Sequence, residues 1–132
     1  IRDRIIHNQK CGIAPEVLNP SRNWGYGYND LLDDIEIWKQ SQYVNVDSIG
    51  RTVQGRGIWE LTISENLSSI YHNRIYIHAR THPGEEEAFW VTDEIINFLL
   101  ADTPEASLIR SNTIFHIVPM HNPDGVDLGY TR

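Results

Sequence analysis

Apolar and polar positions along this chain alternate with two different periods, and the changes of period mark out its elements. From Leu31 to Gln40 the apolar residues Leu31, Ile35 and Trp38 recur at helical spacing, with Leu32 beside them. Asp33, Asp34 and Glu36 fall on or near the polar side, and Asn29 or Asp30 is placed to cap the helix. A strand is expected from Tyr43 to Val53. Gln54-Gly55-Arg56-Gly57 has turn chemistry, and Ile58 to Ser64 reads as the returning strand of an antiparallel hairpin, with Trp59, Leu61 and Ile63 on one face. A further strand is expected over Ile75 to Ala79, a helix from about Glu85 to Leu100, and a nearly continuous apolar strand from Ile114 to Pro119, as suits a strand covered on both faces. In the second helix the pattern puts Ala88, Val91, Thr92, Ile95 and Leu99 on one inward stripe and turns Glu86, Asp93, Glu94 and Asn97 to solvent. Residues 1–27 hold Pro15, Pro20, Asn23, Gly25 and Gly27 without sustained periodicity, and read as a lead-in to a domain over 28–132.

Strand, helix and strand at this spacing make a crossover between parallel neighbours, so the expected class is α/β, a mixed β-sheet flanked by helices. Two parallel strands end at the same edge of a sheet, and open α/β sheets bind ligands outside the carboxyl ends of their strands. His82 and Glu85 follow the first of these strands, and Asn122-Pro123-Asp124-Gly125 follows the second. Both polar segments are expected on one rim.

The chemistry of that rim centres on Ala79-Arg80-Thr81-His82-Pro83-Gly84-Glu85. Imidazole and carboxylate are ligands that zinc accepts, and a catalytic zinc site takes three protein ligands and leaves one position open. Two of the three are present. Pro83 biases His82 toward an extended backbone, Gly84 allows a tight turn, and Glu85 is read as the first helical residue. The competing reading of the same residues is a helix-entry turn with a glutamate that compensates the helix dipole, which already accounts for Glu86 and Glu87.

Length and charge narrow the function classes. A chain of 132 residues suits one domain with a real core. The net charge is −7, and two lysines (Lys10 and Lys39) and nine arginines form no basic cluster, which argues against nucleic acid or an anionic membrane surface as partner. The apolar runs are too short to span a bilayer and no signal-peptide pattern opens the chain, so a soluble protein is expected, its compartment open. Cys11 is the only cysteine, which rules out an intrachain disulfide. His116 reads as a hydrogen-bonded core histidine, His78 as structural, and His121 as a substrate-pocket or solvent-facing residue of the rim. His7 and His72 lie in loop-like sequence. Trp24, Trp38, Trp59 and Trp90 read as packing residues, and Arg80 is expected to pair with a neighbouring carboxylate ahead of contacting substrate.

Ala79-Arg80-Thr81-His82-Pro83-Gly84-Glu85, followed by Pro119-Met120-His121-Asn122-Pro123-Asp124-Gly125-Val126, resembles the M14 zinc metallocarboxypeptidases, and within them the bacterial and cytosolic branch. Tyr28-Asn29-Asp30-Leu31, Ile49-Gly50-Arg51-Thr52-Val53-Gln54-Gly55-Arg56 and Trp59-Glu60-Leu61-Thr62-Ile63 resemble that family's opening helix and hairpin, so the likeness covers about residues 24–132. The resemblance implies a zinc carboxypeptidase-like fold and zinc-dependent hydrolysis of a carboxy-terminal peptide bond, with a peptide or protein C-terminus as substrate. It implies His82 and Glu85 as the first two ligands of one Zn2+ ion, and Arg132 as the catalytic and substrate-binding arginine that polarises the scissile carbonyl. Asn-Pro-Asp-Gly would shape the rim loop without entering the chemistry. The family's third ligand, a histidine, lies well beyond the 47 residues that remain after Glu85 (132 − 85). The Asn-Arg pair that grips the substrate carboxylate and the glutamate that acts as general base also come after Arg132 in the family. The resemblance therefore makes this the amino-terminal portion of a catalytic domain, expected to be inactive alone and to self-associate through edges left without partners. Two other readings stand beside it: an acyl-amino-acid amidohydrolase of the aspartoacylase or desuccinylase type, and a binding homologue that has lost catalysis.

Overall fold

A computed structural model describes residues 25–71 and 73–132. Cys11, Trp24, His7, His72 and most of the lead-in lie outside the described residues. The elements run α1 (Tyr28–Trp38), β1 (Val44–Arg51), β2 (Gly57–Ile63), β3 (Asn73–His78), α2 (Glu86–Leu100), α3 (Pro104–Asn112), β4 (Thr113–Val118) and α4 (Pro123–Asp127). The four strands form one mixed sheet in the order β1-β2-β4-β3. β1 and β2 are the antiparallel hairpin, with Ile49 as the extra residue of a bulge between Ser48 and Gly50. β2 pairs antiparallel with β4, and β4 pairs parallel with β3 in the register Ile75 to Phe115 and Ile77 to Ile117. The expected crossover between parallel neighbours is present, with α2 and α3 between the strands.

One face of the sheet carries the core. Val44, Leu61, Ile63, Phe115 and Ile117 join Leu31, Ile35 and Trp38 of α1 and Phe89, Ile96 and Leu99 of α2 in a single buried cluster. Tyr26 stacks on Phe89 with ring centroids 3.7 Å apart and meets the edge of Trp90. Its hydroxyl donates to Asp34 Oδ2 at 2.7 Å, which explains why Asp34 is buried although the sequence pattern puts it on the polar side. α1 starts three residues earlier than the pattern predicts. Gly27 is its N-cap, and Asp30, one of the two residues expected to cap, instead accepts from the Gly27 N–H at 2.7 Å from inside the first turn.

The inward stripe of α2 also differs from expectation. Phe89, Thr92, Asp93, Ile96 and Leu99 are buried, whereas Val91 is 64% exposed. The stripe is turned by about one residue, roughly 100° around the helix. Both candidate faces are apolar, so periodicity alone cannot choose between them; packing of Phe89 and Ile96 against the sheet does. The second face remains open. Trp90, Val91, Ile95, Phe98, Ile109 and Phe115 line a groove of about 680 Å³.

α3 has no counterpart in the sequence reading, although its start signal is clear. Thr103 Oγ1 accepts from the Ala106 N–H at 3.2 Å and Pro104 opens the first turn. Arg110, at its end, is fully buried. Its guanidinium donates to Leu99 O (2.6 Å), Ala101 O (2.9 Å) and Glu65 Oε2 (2.9 Å) and lies 3.6 Å above the Tyr43 ring. One side chain thus closes the end of α2 and holds the loop after β2. No helix among the described residues is long and apolar enough to cross a membrane.

Candidate functional site

β3 and β4 remain joined past their last residues. The Ala79 N–H donates to Val118 O at 3.0 Å, the His121 N–H to Ala79 O at 2.8 Å, and the Asn122 N–H to Arg80 O at 3.1 Å. The two polar segments are therefore adjacent on the rim, as the topology predicts. Arg80 takes φ +56, turning the chain out of the sheet, and the Glu85 N–H closes the following turn on His82 O at 3.1 Å. His82 Nδ1 lies 2.8 Å from Glu85 Oε1, and both side chains are about half exposed. Glu85 is the N-cap of α2 rather than its first helical residue, because its ψ of 67 is not helical. The pair therefore sets a nitrogen and a carboxylate oxygen side by side, open to solvent. That donor set is of a kind that fits zinc and would supply two of the three protein ligands a catalytic site takes. Among the described residues no group of three or more His, Cys, Asp or Glu side chains converges on one metal position.

The Asn122-Pro123-Asp124-Gly125 segment forms the rest of the rim. Asn122 Oδ1 caps α4 by accepting from the Gly125 N–H at 3.0 Å. Asp124 accepts from Thr52 Oγ1 (2.8 Å), the Gln54 N–H (3.1 Å) and Arg56 Nη1 (2.8 Å), while Arg56 also pairs with Asp127. Desolvation raises the Asp124 pKa, but the hydrogen bonds from Arg56, Thr52 and Gln54 outweigh it and hold the carboxyl below its ordinary value. This clamp between the hairpin turn and α4 is not legible in the sequence, because its residues lie some 70 positions apart. From α4 the chain returns to the His82–Glu85 pair. The Tyr130 N–H donates to Gly125 O at 2.9 Å, and the Gly84 N–H donates to Thr131 O at 3.3 Å. Arg132 follows directly, exposed, beside the turn that carries His82 and Glu85.

The other candidates sort by their contacts. His116 Nδ1 meets Glu60 Oε1 at 2.9 Å within the sheet, so it is hydrogen-bonded as expected, but it is half-buried rather than in the core. His78 is exposed and meets Thr81 Oγ1 at 2.9 Å; its ring lies 5.4 Å from that of His121, which is exposed on the rim. Trp38 is buried, and Trp59 and Trp90 are half-buried, with Trp59 Nε1 donating to Tyr28 Oη at 3.1 Å. Arg80 departs from expectation. Its Nε donates to Pro83 O at 2.7 Å and Nη1 to Tyr26 O at 3.5 Å, so its direct acceptors are carbonyls and not a carboxylate. Burial lowers its pKa, opposed by the negative charge of Glu86. Glu86 is not a solvated residue as expected: its Oε2 accepts from the Gly25 N–H at 3.2 Å, and burial pushes its carboxyl up against the pull of Arg80.

Two outcomes test this construction. A Cβ on Gly125 would lie 2.3 Å from Pro83 Cγ and 2.8 Å from Asn122 Nδ2, so the two rim loops touch here with no room for a methyl group. Gly125→Ala is expected to destabilise the fold by about 1–3 kcal/mol, the usual cost of overpacking, read by urea denaturation. Asp124 has a depressed folded pKa, so its contribution is fully present above the ordinary value of 3.8 and is lost as pH falls through the lower folded value. The stability difference between the wild type and Asp124→Asn should therefore be constant near neutrality and shrink in acid; a difference that grows on acidification would contradict the clamp.

Comparison with known proteins agrees with this geometry. The family model for zinc carboxypeptidases matches residues 28–132. The chain is 37% identical over 115 residues to cytosolic carboxypeptidase 2 of Xenopus tropicalis, covering 81% of this chain and 12% of that protein. It is 40% identical over 108 residues to cytosolic carboxypeptidase 6 of Mus musculus, covering 80% of this chain and 20% of that protein. Among solved structures, a metallo-carboxypeptidase from Burkholderia cenocepacia superposes with a TM-score of 0.74 at 31% identity, over 81% of this chain and 30% of that one. The chain thus spans well under half the length of the relatives it matches. With the His82–Glu85 pair and the Asn122–Gly125 segment meeting on one rim of a mixed sheet, this chain belongs to the zinc carboxypeptidase family.

Proposed function

We propose that this chain is the metal-holding portion of a carboxypeptidase that uses zinc to hydrolyse the last peptide bond of a peptide or protein. The observation that carries the reading is the convergence on one rim of the His82–Glu85 donor pair and the segment ending in Arg132, joined through the Gly84–Thr131 hydrogen bond. His82 Nδ1 and the Glu85 carboxylate would hold the metal, which, when bound, supplies Lewis acidity toward water and the scissile carbonyl. Arg132 would orient that carbonyl and stabilise the negative charge that develops on its oxygen, a task suited to a guanidinium, which stays protonated at any working pH and presents a fixed fork of donors. The third ligand, the groups that grip the substrate carboxylate and the general base are assigned to sequence beyond this chain, in line with the 12% and 30% coverage of its relatives. The amidohydrolase alternative loses support, because the family match and the named relatives are carboxypeptidases.

With two ligands, the 132-residue chain is expected to bind one zinc ion weakly and to turn over no blocked dipeptide. A titration against a competing chelator should show that His82→Ala and Glu85→Ala each weaken binding by more than about tenfold, equivalent to about 1.4 kcal/mol. Zinc binding indifferent to both substitutions, or turnover by this chain alone, would overturn the assignment.

The same reading extends to association between copies of the chain. Among the described residues β3 is an outer strand of the sheet, and Ile75 (43% exposed) and Tyr76 (56% exposed) lie on a strand whose outer backbone edge has no neighbour among them. The groove along the second apolar face of α2 reaches Phe115, the partner of Ile75 in the β3–β4 register. Copies of this chain are expected to pair through this edge, giving a mass above the monomer by light scattering that rises with concentration. Ile75→Lys combined with Phe98→Glu should return it to monomer; a wild type that stays monomeric at every concentration would refute the pairing.

A further inference from the structure

Arg80 is the only non-glycine residue with positive φ among the described residues, and it is also among the most deeply buried, at 1% exposure. Both features are unfavourable for an arginine. The left-handed backbone crowds its Cβ, and its Nη2 is buried with no hydrogen-bond partner among the described residues. Strain of this kind persists where the surroundings over-determine it, and it gathers at functional sites. Here the surroundings are specific. The backbone turn points the Arg80 carbonyl at the Asn122 N–H, 3.1 Å away, holding the loop after β4. The side chain runs forward beneath the next turn, and Nε–H reaches Pro83 O at 2.7 Å. That carbonyl lies between His82 and Glu85, the two residues whose side chains meet at 2.8 Å. Nη1 makes a longer contact with Tyr26 O, which ties the turn to the aromatic stack over Phe89.

We propose that Arg80 is a positioning residue for the metal pair. Its Nε–H bond to Pro83 O sets the His82–Glu85 turn in the conformation that brings the two donors together, while its left-handed backbone locks that turn to the Asn122 loop. The proposal rests on the reading of His82 and Glu85 as zinc ligands. It assigns Arg80 no contact with substrate or metal.

Arg80→Gly separates the two roles, since glycine accepts the left-handed backbone but removes the guanidinium. Two readouts on the 132-residue chain decide the matter: zinc affinity by chelator competition, and hydrogen exchange of the Glu85 amide, which is bonded to His82 O, against the Ile117 amide of β4 as a control for global unfolding. Arg80→Gly is expected to leave Ile117 protected, to speed Glu85 exchange, and to weaken zinc binding by about 10–100-fold, the usual effect of losing a group that orients a ligand. Arg80→Lys keeps length and charge without the planar fork and should fall between the two. If Arg80→Gly exposes Ile117, the fold itself has opened and the Arg80→Lys comparison decides alone. Unchanged zinc affinity with unchanged Glu85 exchange in a folded variant would overturn the proposal. If zinc binding by the wild type proves insensitive to His82→Ala, the metal reading fails instead, and Glu85 exchange alone then shows whether Arg80 holds the turn.

Discussion

The structure depends on a hydrogen-bonded seam that continues after two parallel strands have ended. β3 and β4 stop at His78 and Val118, but Ala79, Arg80, His121 and Asn122 keep exchanging backbone hydrogen bonds beyond them. Loops that leave the same sheet edge ordinarily diverge. Here the seam keeps one loop, with the donor pair, against the other, with Asn122 to Gly125. A parallel pair requires a crossover, so 34 residues separate the two strands (78 to 113) while their ends share one rim. The rim is thus local in space and distant in sequence, and the backbone rather than any side chain makes it so.

Around that seam, most of the polar residues serve geometry. Asp124 ties α4 to the hairpin turn through Thr52, Gln54 and Arg56. Gly125 is glycine because Pro83 occupies the space a side chain would need. Asn122 caps the helix that carries the chain back, and Thr131 meets Gly84 beside the donor pair. The chemistry assigned to the rim rests on three residues, His82, Glu85 and Arg132, and the rest of the motif keeps them close. This division explains how a motif can be long while its reactive part is short.

The elements were legible to different degrees for physical reasons. The hairpin, the parallel pair and both long helices follow from period and turn chemistry, since these are local properties of the chain. The face of α2 is not legible in the sequence because Ala88, Val91 and Ile95 form as good an apolar stripe as Phe89, Thr92 and Ile96; only the sheet's demand for the larger side chains decides. α3 is faint in the sequence although Thr103-Pro104 starts it, because its nine residues bury little more than Ala106 and Arg110. Asp34, Glu86 and Arg80 were expected at the surface or in ion pairs. They are buried or half-buried on hydrogen bonds to Tyr26, Gly25 and Pro83; the Gly25 partner lies 61 positions from Glu86, and the two nearer contacts depend on backbone turns that hydrophobic periodicity does not encode.

By itself the sequence determined the class of fold, the pairing of β3 with β4 and the candidate donor residues, because periodicity, turn residues and ligand chemistry are written over short stretches. Only the tertiary structure decided that Arg80 is buried in a left-handed turn beneath Pro83, that Gly125 yields its space to Pro83, and that the segment ending in Arg132 lies beside His82 and Glu85. The last two are contacts between residues brought together by the crossover, and the first is a turn held against the loop that the crossover delivers. Such contacts exist only once the sheet has formed.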